Sequence, residues 1–520
     1  MTGLDPRIDD ALARLPDYLG NHVLVSVSAL ALGLAVSLPL AILSIRRPFL
    51  RNALLTFTST VQTIPGLALL ALFYPLLLGL SALTGKAFGA SFSALGFLPA
   101  VLALALYSML PVVRNTVTGI LGIDPAVNEA ALGVGMTRRQ SLTMVELPLA
   151  LPVIMAGIRT SAVWVIGTAT LATPVGQTSL GNYIFTGLQT QNWVFVLFGC
   201  VAAAVLALLV DQLLALVERG VSARKRALIW TGVAGLALIV AAALWPSYVR
   251  PQATYIIGAK TFTEQYILEA LIEERLQATG LASRRRDGLG SIIIFDALKA
   301  GDIDVYVDYS GTLWTTQMKQ SEVKPRVQVL TELKAWLAER HIEMLGTLGF
   351  ENAYALAMSR KKADALGIRS IADLARVSPN LVIAGDYEFF ARPEWAALVG
   401  AYGLAFRQQR LVQPEFMYPA AAAGEVDVIA AYTSEGRLAL YDLVVLDDPK
   451  QAIPPFDAIL LLAPGRASDA KLNEALKPLI GAIDIKLMQA ANLRANGKGG
   501  ESSPEAIARW MWSEIGKTSK

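Results

Sequence analysis

Six stretches of apolar residues, each long enough to cross a membrane, occupy the first half of this 520-residue chain. A hydrocarbon layer of ~30 Å is crossed by a helix of ~20 residues. The stretches cover residues 21–45, 53–80, 96–113, 152–173, 193–217 and 228–246. Because a backbone surrounded by lipid must satisfy its own hydrogen bonds, each stretch is predicted to be a helix. Residues 1–250 are therefore predicted to form an α-helical membrane domain with about six transmembrane helices.

Basic residues fall into alternate loops between these spans. The loops after the first, third and fifth spans contain Arg46, Arg47, Arg51, Arg114, Arg138, Arg139, Arg219, Arg224, Lys225 and Arg226. Loops rich in Lys and Arg stay on the cytoplasmic side of a membrane. Lys86 is the main exception in the opposite loops, and the first ~18 residues are acidic and unlike a cleavable signal peptide. We therefore predict that both termini lie outside the cell, and that the residues after the sixth span are extracytoplasmic.

Beyond Pro251 the sequence becomes mixed and charged, which is typical of an α/β domain. Strands are predicted at residues 255–260, 303–309, 381–386 and 425–432, and an amphipathic helix at 262–276. Alternation of this kind indicates parallel sheets covered by helices. Residues 251–520 are therefore predicted to form a domain of two lobes with a cleft, the second lobe covering about 353–452.

Several classes of function are disfavoured by the composition. The net charge of +3 is small and no basic block occurs, so nucleic acid is not an expected partner. The two histidines, His22 and His341, and the single cysteine, Cys200, cannot form a histidine- or cysteine-rich metal cluster. No G-x-x-x-x-G-K-[ST] loop occurs, and the nearest approach, at Gly85 and Lys86, has the wrong spacing. ATP hydrolysis by this chain is therefore not expected.

A polar, charged stretch at residues 129–148 lies between the third and fourth spans. It begins with Glu129, Ala130 and Ala131, continues to Gly135, and ends in a Leu-Pro pair. This spacing resembles the EAA coupling motif of bacterial ABC import permeases. The resemblance implies a short cytoplasmic helix that docks on a separate ATPase subunit. The alternative is an amphipathic connector, because E-A-A tripeptides are common in helices.

Four motifs in the second half resemble those of binding proteins for glycine betaine, choline and related quaternary amines. They are K-T-F-T-E-Q at 260–265, G-D-I-D-V-Y-V-D-Y-S-G-T at 301–312, G-E-V-D-V-I-A-A-Y-T-S at 424–434 and P-P-F-D-A at 454–458. With the permease-like half included, the chain is similar to the permease and binding-protein fusions of osmoprotectant and ergothioneine uptake.

This resemblance implies an aromatic cage and an anion anchor. The cage residues would be Tyr309, Tyr354, Tyr432 and Phe456, and the ligand carboxylate would be held by Arg392 with help from Lys260 and Thr312. A trimethylammonium group has no N–H to donate, so it is bound by aromatic faces that contribute ~0.5 to 2 kcal/mol each. Three or four faces fall short of the ~8 kcal/mol of micromolar binding, so a second anchor is needed. For each ring taken singly, the alternative is ordinary core packing.

Three further features of the sequence bear on the predicted binding site and on the membrane part. The family commonly has Tyr where this chain has Phe456, so the ring face is kept and the hydroxyl is lost. Asp308, beside Tyr309, could assist a bound cation, but we expect it to point to solvent. The glycine-rich stretch 173–185 is either part of an external gate or an ordinary outer loop.

The resemblance as a whole implies the membrane subunit of an ATP-driven ABC importer with a fused receptor. The expected cargo is a quaternary ammonium compound of the glycine betaine, choline, carnitine or ergothioneine type. Expected partners are a cytoplasmic ABC ATPase subunit, a second permease copy in a homodimer, and the lipid of the cell inner membrane. No cofactor is expected on this chain, because ATP and Mg would be used by the ATPase.

Three other functions remain as alternatives. One is a ligand-gated membrane sensor, and a second is an ABC importer of a different small solute. The third is an enzyme in the outer domain, for which Asp302 and Asp304 could form an acidic pair. We expect surface or turn roles for those two residues.

Overall fold

A computed structural model describes residues 6–88, 92–189, 192–249, 255–320, 322–496 and 503–518. The chain divides into two compact units. The first consists of residues up to Phe185 together with Val194–Pro251, and the second of Thr186–Trp193 and residues from Gln252 onward.

The helical part contains long apolar helices interrupted by short ones. They are α1 (Pro6–Ser44), α2 (Pro48–Thr63), α3 (Gly66–Phe88), α4 (Phe97–Leu121), α5 (Pro125–Gly133), α6 (Arg138–Ser141), a π-helical turn (Leu142–Glu146), α7 (Leu147–Ala169), a 3₁₀ turn (Thr170–Val175), α8 (Gly181–Gln189), α9 (Trp193–Ser222) and α10 (Arg226–Val249).

Five described helical segments are long and apolar enough to cross a membrane. They are Arg7–Ser44, Phe97–Leu121, Arg138–Val175, Trp193–Ser222 and Arg226–Trp245. Each contains or overlaps a stretch predicted from the sequence. The second predicted span is different, because Pro48–Thr63 and Gly66–Ser81 meet at an angle of 102°. The prediction of one continuous span over 53–80 is therefore wrong, and the total is six only if this bent pair is one span.

Pro65 explains the bend between α2 and α3. Proline has no N–H for a helical hydrogen bond, and it forces the preceding residue towards extended backbone. Ile64 is extended, with φ −72° and ψ 128°. The Ile64 carbonyl, which the bend leaves without a helical partner, accepts a hydrogen bond from the hydroxyl of Tyr107 in α4. The break is thus satisfied by a polar group from a neighbouring helix, as lipid surroundings require.

An ion-pair cluster joins α7 to α9. Arg159 donates two hydrogen bonds to Asp211, from Nε and Nη2, each of 2.9 Å. Its Nη1 donates to Glu218 Oε2 at 2.8 Å. Charged groups within apolar helices are costly unless they are paired. This cluster therefore fixes α9 to the helix that follows the 129–148 stretch.

The α/β part contains ten described strands. They are β1 (Tyr255–Lys260), β2 (Ser283–Leu289), β3 (Val305–Tyr309), β4 (Glu343–Glu351), β5 (Tyr354–Ser359), β6 (Val382–Gly385), β7 (Gln408–Leu411), β8 (Val428–Tyr432), β9 (Leu443–Val445) and β10 (Asp457–Leu462). The predicted strands at 255–260, 303–309, 381–386 and 425–432 are confirmed.

Helices cover and connect these strands. They are α11 (Thr263–Ala278), α12 (Ser291–Ala300), α13 (Ser310–Thr312), a π-helical turn (Leu313–Gln317), α14 (Arg326–Ala338), α15 (Arg360–Leu366), α16 (Ile371–Val377), a 3₁₀ turn (Ser378–Asn380), α17 (Tyr387–Ala391), α18 (Pro393–Tyr402), α19 (Pro414–Ala423), α20 (Arg437–Leu440), α21 (Ala470–Leu476), a 3₁₀ turn (Lys477–Leu479), α22 (Ile485–Asn496) and α23 (Pro504–Thr518).

The strands form two five-stranded sheets, one in each lobe. The first has the order β2-β1-β3-β10-β4 and the second the order β7-β6-β8-β5-β9. Both are mixed, since β10 is antiparallel to β3 and β4, and β5 is antiparallel to β8 and β9. The expectation of wholly parallel sheets is therefore wrong. The chain leaves the first sheet after β4 and enters the second as β5, and it returns to the first sheet as β10. Both β5 and β10 are antiparallel to the strands beside them.

Candidate functional site

Four aromatic residues stand at the ends of strands that face one cleft. In the first lobe, Tyr309 is the last residue of β3, and Phe456 directly precedes β10, whose Ala458 pairs with Tyr309. In the second lobe, Tyr354 begins β5 and Tyr432 ends β8. Ligand sites in α/β folds lie at such strand ends, because the loops there are free of sheet pairing.

The cleft encloses a cavity of about 270 Å³. All seven residues predicted to bind substrate line it, namely Lys260, Tyr309, Thr312, Tyr354, Arg392, Tyr432 and Phe456. Known ligand pockets occupy ~300 to 1,000 Å³, so this cavity suits a small molecule. The structure therefore brings together residues that are up to about two hundred positions apart in the sequence.

The aromatic cage is held by backbone pairing in the second lobe. Tyr354 and Tyr432 are directly opposite each other in the antiparallel pair of β5 and β8, and their ring centroids lie 5.1 Å apart. The ring of Phe456 meets Tyr354 edge-on at 5.6 Å and 85°. Burial raises the pKa of the Tyr354 and Tyr432 hydroxyls. The rings therefore stay neutral at physiological pH and present uncharged π-faces.

Phe456 depends on a glycine for its position. A Cβ at Gly311 would lie 2.7 Å from the Cδ2 and Cε2 atoms of the Phe456 ring. Carbon atoms pack favourably at ~3.5 to 4.0 Å, so a side chain at position 311 has no room. Gly311 lies between Tyr309 and Thr312, within a motif that the sequence alone identified. The glycine thus allows the chain to pass directly behind this ring.

Arg392 lies between α17 and α18 and points into the cavity. The following Pro393 restricts Arg392 to extended backbone, with φ −82° and ψ 152°. Its Nε and Nη2 donate to the two oxygens of Glu394 at 3.2 and 3.1 Å, and its Nη1 donates to Glu388 at 3.0 Å. The guanidinium carbon lies 5.1 Å from the centroid of the Tyr354 ring. The predicted anion anchor therefore touches the cage directly.

The charge of Arg392 is secured by its neighbours. Burial lowers the pKa of its guanidinium, but the surrounding groups, including Glu394 and Glu388, raise that pKa further, so the net direction is upward. Glu394 is also fixed from the first lobe, because the Thr315 hydroxyl donates to its Oε1 at 2.9 Å. A hydrogen-bonded chain of Thr315, Glu394 and Arg392 therefore joins the two lobes.

Lys260 is already paired within the protein. Its Nζ donates to Asp308 Oδ1 at 2.5 Å, and both side chains are buried. Asp308 also accepts from the Tyr306 hydroxyl at 2.5 Å and from the Tyr309 backbone N–H at 2.7 Å. The expectation that Asp308 points to solvent is wrong. It lies on the fully buried strand β3, where three donors satisfy its carboxylate.

Glu264 is a cavity residue that the sequence interpretation missed. It accepts hydrogen bonds from the Tyr309 hydroxyl at 2.5 Å, from Asn352 at 3.1 Å and from Asn492 at 2.9 Å. Burial raises the pKa of its carboxyl, and these hydrogen bonds act in the opposite direction. The sequence signal that could have identified Glu264 as a site residue is its position inside the K-T-F-T-E-Q motif. Glu264 polarises the hydroxyl of a cage tyrosine and ties the first lobe to the crossover at Asn352.

Arg437 and Glu435 form a second missed pair in the lining of the cavity. Arg437 Nη2 donates to Glu435 Oε2 at 2.6 Å, and its guanidinium lies 4.5 Å from the ring centroid of Tyr418. Both residues directly follow the 424–434 motif in the sequence. A charged residue after a buried strand is usually exposed, so the only sequence signal for this pair was its proximity to that motif.

Two family descriptions match the two parts of the chain. "Substrate binding domain of ABC-type glycine betaine transport system" matches residues 253–513, which is half of the chain. "Binding-protein-dependent transport system inner membrane component" matches residues 33–223. The chain belongs to the ABC-type glycine betaine transport family. It is a permease fused to a substrate-binding domain, and its matched permease region makes it a multi-pass membrane protein.

Relatives in this family match one part of the chain or both. The ergothioneine transport permease/ergothioneine binding protein of Helicobacter pylori (strain G27) is 28% identical over 90% of this chain and 84% of its own. The glycine betaine/carnitine/choline transport system permease protein OpuCB of Bacillus subtilis (strain 168) is 41% identical over 39% of this chain and 86% of its own. A crystal structure of a glycine betaine/carnitine/choline ABC transporter covers 50% of this chain and 98% of that one, with 26% identity and a TM-score of 0.45.

The 129–148 stretch of this permease forms a helix, a turn and a second helix. Glu129 and Ala130 are exposed on α5, whereas Ala131 is buried. Gly135 has φ +83°, a conformation that favours glycine, and it turns the chain towards α6. Thr137 then caps α6 in a capping box with Gln140. Gly135 therefore forms the turn between the two helices, and the role of the four motif residues in coupling remains a prediction.

Apolar side chains project from this stretch of the permease. Leu132, Val134 and Met144 are 54%, 75% and 64% exposed. Large apolar side chains exposed on a polar segment are a feature of protein interaction sites. The geometry is therefore compatible with a docked partner.

The 173–185 stretch is packed inside the permease part. Thr173, Ser179 and Asn182 are buried and hydrogen-bonded to one another, with Ser179 N–H donating to Asn182 Oδ1 at 2.8 Å. Irregular backbone at membrane depth is tolerated where protein surrounds it. The burial disfavours an ordinary exposed loop, and a role as an external gate remains a prediction.

Proposed function

We propose that this chain is the membrane subunit of an ATP-driven importer of a quaternary ammonium compound, with the receptor fused to the permease. The observation that carries the proposal is the cavity lined by four aromatic rings and Arg392. Rings supply cation–π contacts to a trimethylammonium group, and the guanidinium supplies charge-assisted hydrogen bonds to a carboxylate. Together they match a small zwitterion with a quaternary amine at one end.

The charge of the cavity supports a cationic ligand group. The lining contains the acids Glu264, Asp386, Glu388 and Glu435 and the bases Lys260, Arg392 and Arg437. Lys260 is neutralised by Asp308 and Arg392 by Glu394, neither of which lines the cavity, so these two bases do not offset the acids of the lining. An excess of negative charge in a partly desolvated site favours a permanent cation.

We infer the remaining partners and the orientation from the family and the distribution of basic residues. A separate cytoplasmic ATPase binds the 129–148 stretch and uses ATP and Mg, while this chain binds no cofactor. Two permease copies form a homodimer in the cell inner membrane, surrounded by lipid. The substrate-binding domain lies on the extracytoplasmic side, because the loops with basic residues stay in the cytoplasm.

Isothermal titration calorimetry of the full-length protein in detergent tests this function. The ligands are glycine betaine, choline, carnitine and ergothioneine, since the named relatives transport or bind these compounds. Tyr432→Ala removes one cage face and is expected to weaken binding by about 2- to 30-fold. Arg392→Ala is expected to weaken ligands with a carboxylate more than choline, because choline has no group for the guanidinium.

Two controls separate binding from folding. Arg376→Ala removes an exposed arginine that pairs with Asp373 on its own helix, and it should leave binding unchanged. The thermal unfolding midpoint of each variant shows whether the protein is folded. If the folded parent binds none of the four ligands, the proposed cargo is wrong.

A further inference from the structure

The guanidinium of Arg392 has its N–H donors divided between two glutamates. Nε and Nη2 face Glu394 in a side-on fork, and Nη1 faces Glu388 at 3.0 Å. A guanidinium carries five N–H donors in a fixed plane. Three of the five are used, and one N–H on Nη1 and one on Nη2 remain. An incoming carboxylate that binds Nη1 therefore shares this nitrogen with the Glu388 carboxylate and is repelled by it.

The two glutamates differ in how firmly they are held. The Glu394 side chain is 1% exposed and also accepts from Thr315, so its departure would leave Nε and Nη2 of Arg392 without their acceptor. The Glu388 side chain is 44% exposed, lines the cavity and lies in the first turn of the short helix α17. Glu394 is thus a permanent partner of Arg392, whereas Glu388 can swing into solvent at small cost.

We propose that Glu388 is a built-in competitor for the carboxylate of the ligand. The Glu388 carboxylate holds Nη1 of Arg392, and a ligand carboxylate that binds the same nitrogen weakens that contact. This proposal rests on the proposed function, because it requires a ligand that carries both a quaternary amine and a carboxylate. It assigns to Glu388 a part in specificity that is separate from the cage.

The effect depends on whether the ligand has a carboxylate. A zwitterion such as glycine betaine weakens the contact between Arg392 and Glu388 when its carboxylate binds Nη1, so its affinity is reduced by up to the strength of that pair. Partly exposed ion pairs of this kind correspond to a factor of about 1.5 to 5 in an equilibrium constant. A ligand without a carboxylate, such as choline, leaves the pair intact and keeps the negative charge of Glu388 near the cage.

Glu388 therefore narrows the difference in affinity between a zwitterion and a simple cation. The guanidinium carbon of Arg392 lies 5.1 Å from the centroid of the Tyr354 ring, so this competition takes place next to the cage. Discrimination between ligands therefore depends on the contact between Arg392 Nη1 and Glu388 as well as on the aromatic rings.

The test compares the parent with Glu388→Gln in the full-length protein in detergent, by calorimetry with glycine betaine and with choline. A neutral amide oxygen is a weaker acceptor for a guanidinium than a carboxylate. We expect Glu388→Gln to bind glycine betaine about 1.5- to 5-fold more tightly, and choline equally or more weakly. The ratio of the two dissociation constants is the readout, and it does not depend on the fraction of active protein.

The matched control is Glu339→Gln. Glu339 also faces an arginine, Arg340, at 3.4 Å, but both are exposed at the end of α14, outside the cavity lining. Its ratio should equal that of the parent. The thermal midpoint of Glu388→Gln should match that of the parent within a few degrees, because the side chain is nearly half exposed.

Each other outcome has a definite meaning. If Glu388→Gln weakens glycine betaine and choline alike, Glu388 is a counter-charge for the cation and the proposal is overturned. If neither affinity changes, the pair does not compete with ligand and the proposal is also overturned, while the proposed function stands. If the folded parent binds neither compound nor any other quaternary amine, both the proposed function and this proposal fail.

Discussion

Gly311→Ala is the most direct perturbation of the cage that leaves every cage residue in place. The new methyl group would lie 2.7 Å from two carbons of the Phe456 ring. Because carbon atoms prefer ~3.5 to 4.0 Å, the ring must retreat by roughly 1 Å. The backbone itself does not oppose the change, since Gly311 is not among the glycines with positive φ. All of the strain therefore falls on the contact with the ring.

The magnitude follows from how tightly Phe456 is packed. The residue is 1% exposed and its ring meets Tyr354 edge-on at 5.6 Å, so it cannot move without disturbing the cage. Overpacking of this kind costs ~1 to 3 kcal/mol of the free energy of unfolding. Displacing one of the four rings from the ligand removes ~0.5 to 2 kcal/mol of cation–π energy. Ligand affinity should therefore fall by about 2- to 30-fold.

Calorimetry with the tightest ligand of the parent, together with thermal unfolding, measures both effects. Gly400→Ala is the matched control, because Gly400 lies in α18 and a Cβ there meets no atom within 4 Å. That change should stabilise the helix by up to ~1 kcal/mol and leave ligand affinity unchanged. If Gly311→Ala binds ligand as tightly as the parent, Phe456 is not a wall of the binding site and the cage argument fails.

Two further predictions concern charges elsewhere in the chain. Arg159→Met leaves Asp211 and Glu218 unpaired between membrane helices, so the detergent-solubilised protein should lose about 3 kcal/mol of stability. The exposed Arg219→Met is its control, and equal thermal midpoints for the two variants would contradict the prediction. Burial raises the pKa of the Glu264 carboxyl, so the folded parent binds a proton there more readily than the unfolded chain does. The parent therefore loses stability as the pH rises above about 4.5. Glu264→Gln does not lose this stability. The thermal midpoint of the variant minus that of the parent should therefore rise between about pH 4 and pH 7, and a constant difference would refute the reasoning.

The gross fold was predictable because its signals are local. Long apolar runs predict spans, and a run such as Y-I-I-G-A-K followed by an amphipathic segment predicts a strand and a helix. The bend between α2 and α3 was missed although Pro65 signals it, because hydropathy over 53–80 does not register a backbone break. The antiparallel strands were missed for another reason, since the direction of β10 depends on where the chain re-enters the first lobe.

The site was only partly predictable because burial of charge depends on distant partners. The cage residues occur in recognisable motifs, and their place at strand ends brings them together. Glu264 is buried because Asn492, which is 228 residues later, donates to it. Asp308 is buried because Lys260, which is 48 residues earlier, neutralises it. A single sequence shows each of these charges without its partner, and an unpartnered charge is reasonably expected at the surface.

The two lobes are joined at the site by hydrogen bonds between side chains. Thr315 in the first lobe donates to Glu394, and Glu394 holds Arg392 in the second. The cage is likewise divided, with Tyr309 and Phe456 in one lobe and Tyr354 and Tyr432 in the other. A trimethylammonium group that contacts all four rings attracts both lobes, which the hydrogen-bonded chain of Thr315, Glu394 and Arg392 already connects. A ligand can favour this arrangement of the lobes only by the contacts that it makes there and not elsewhere, and a few cation–π contacts of ~0.5 to 2 kcal/mol each supply such a difference.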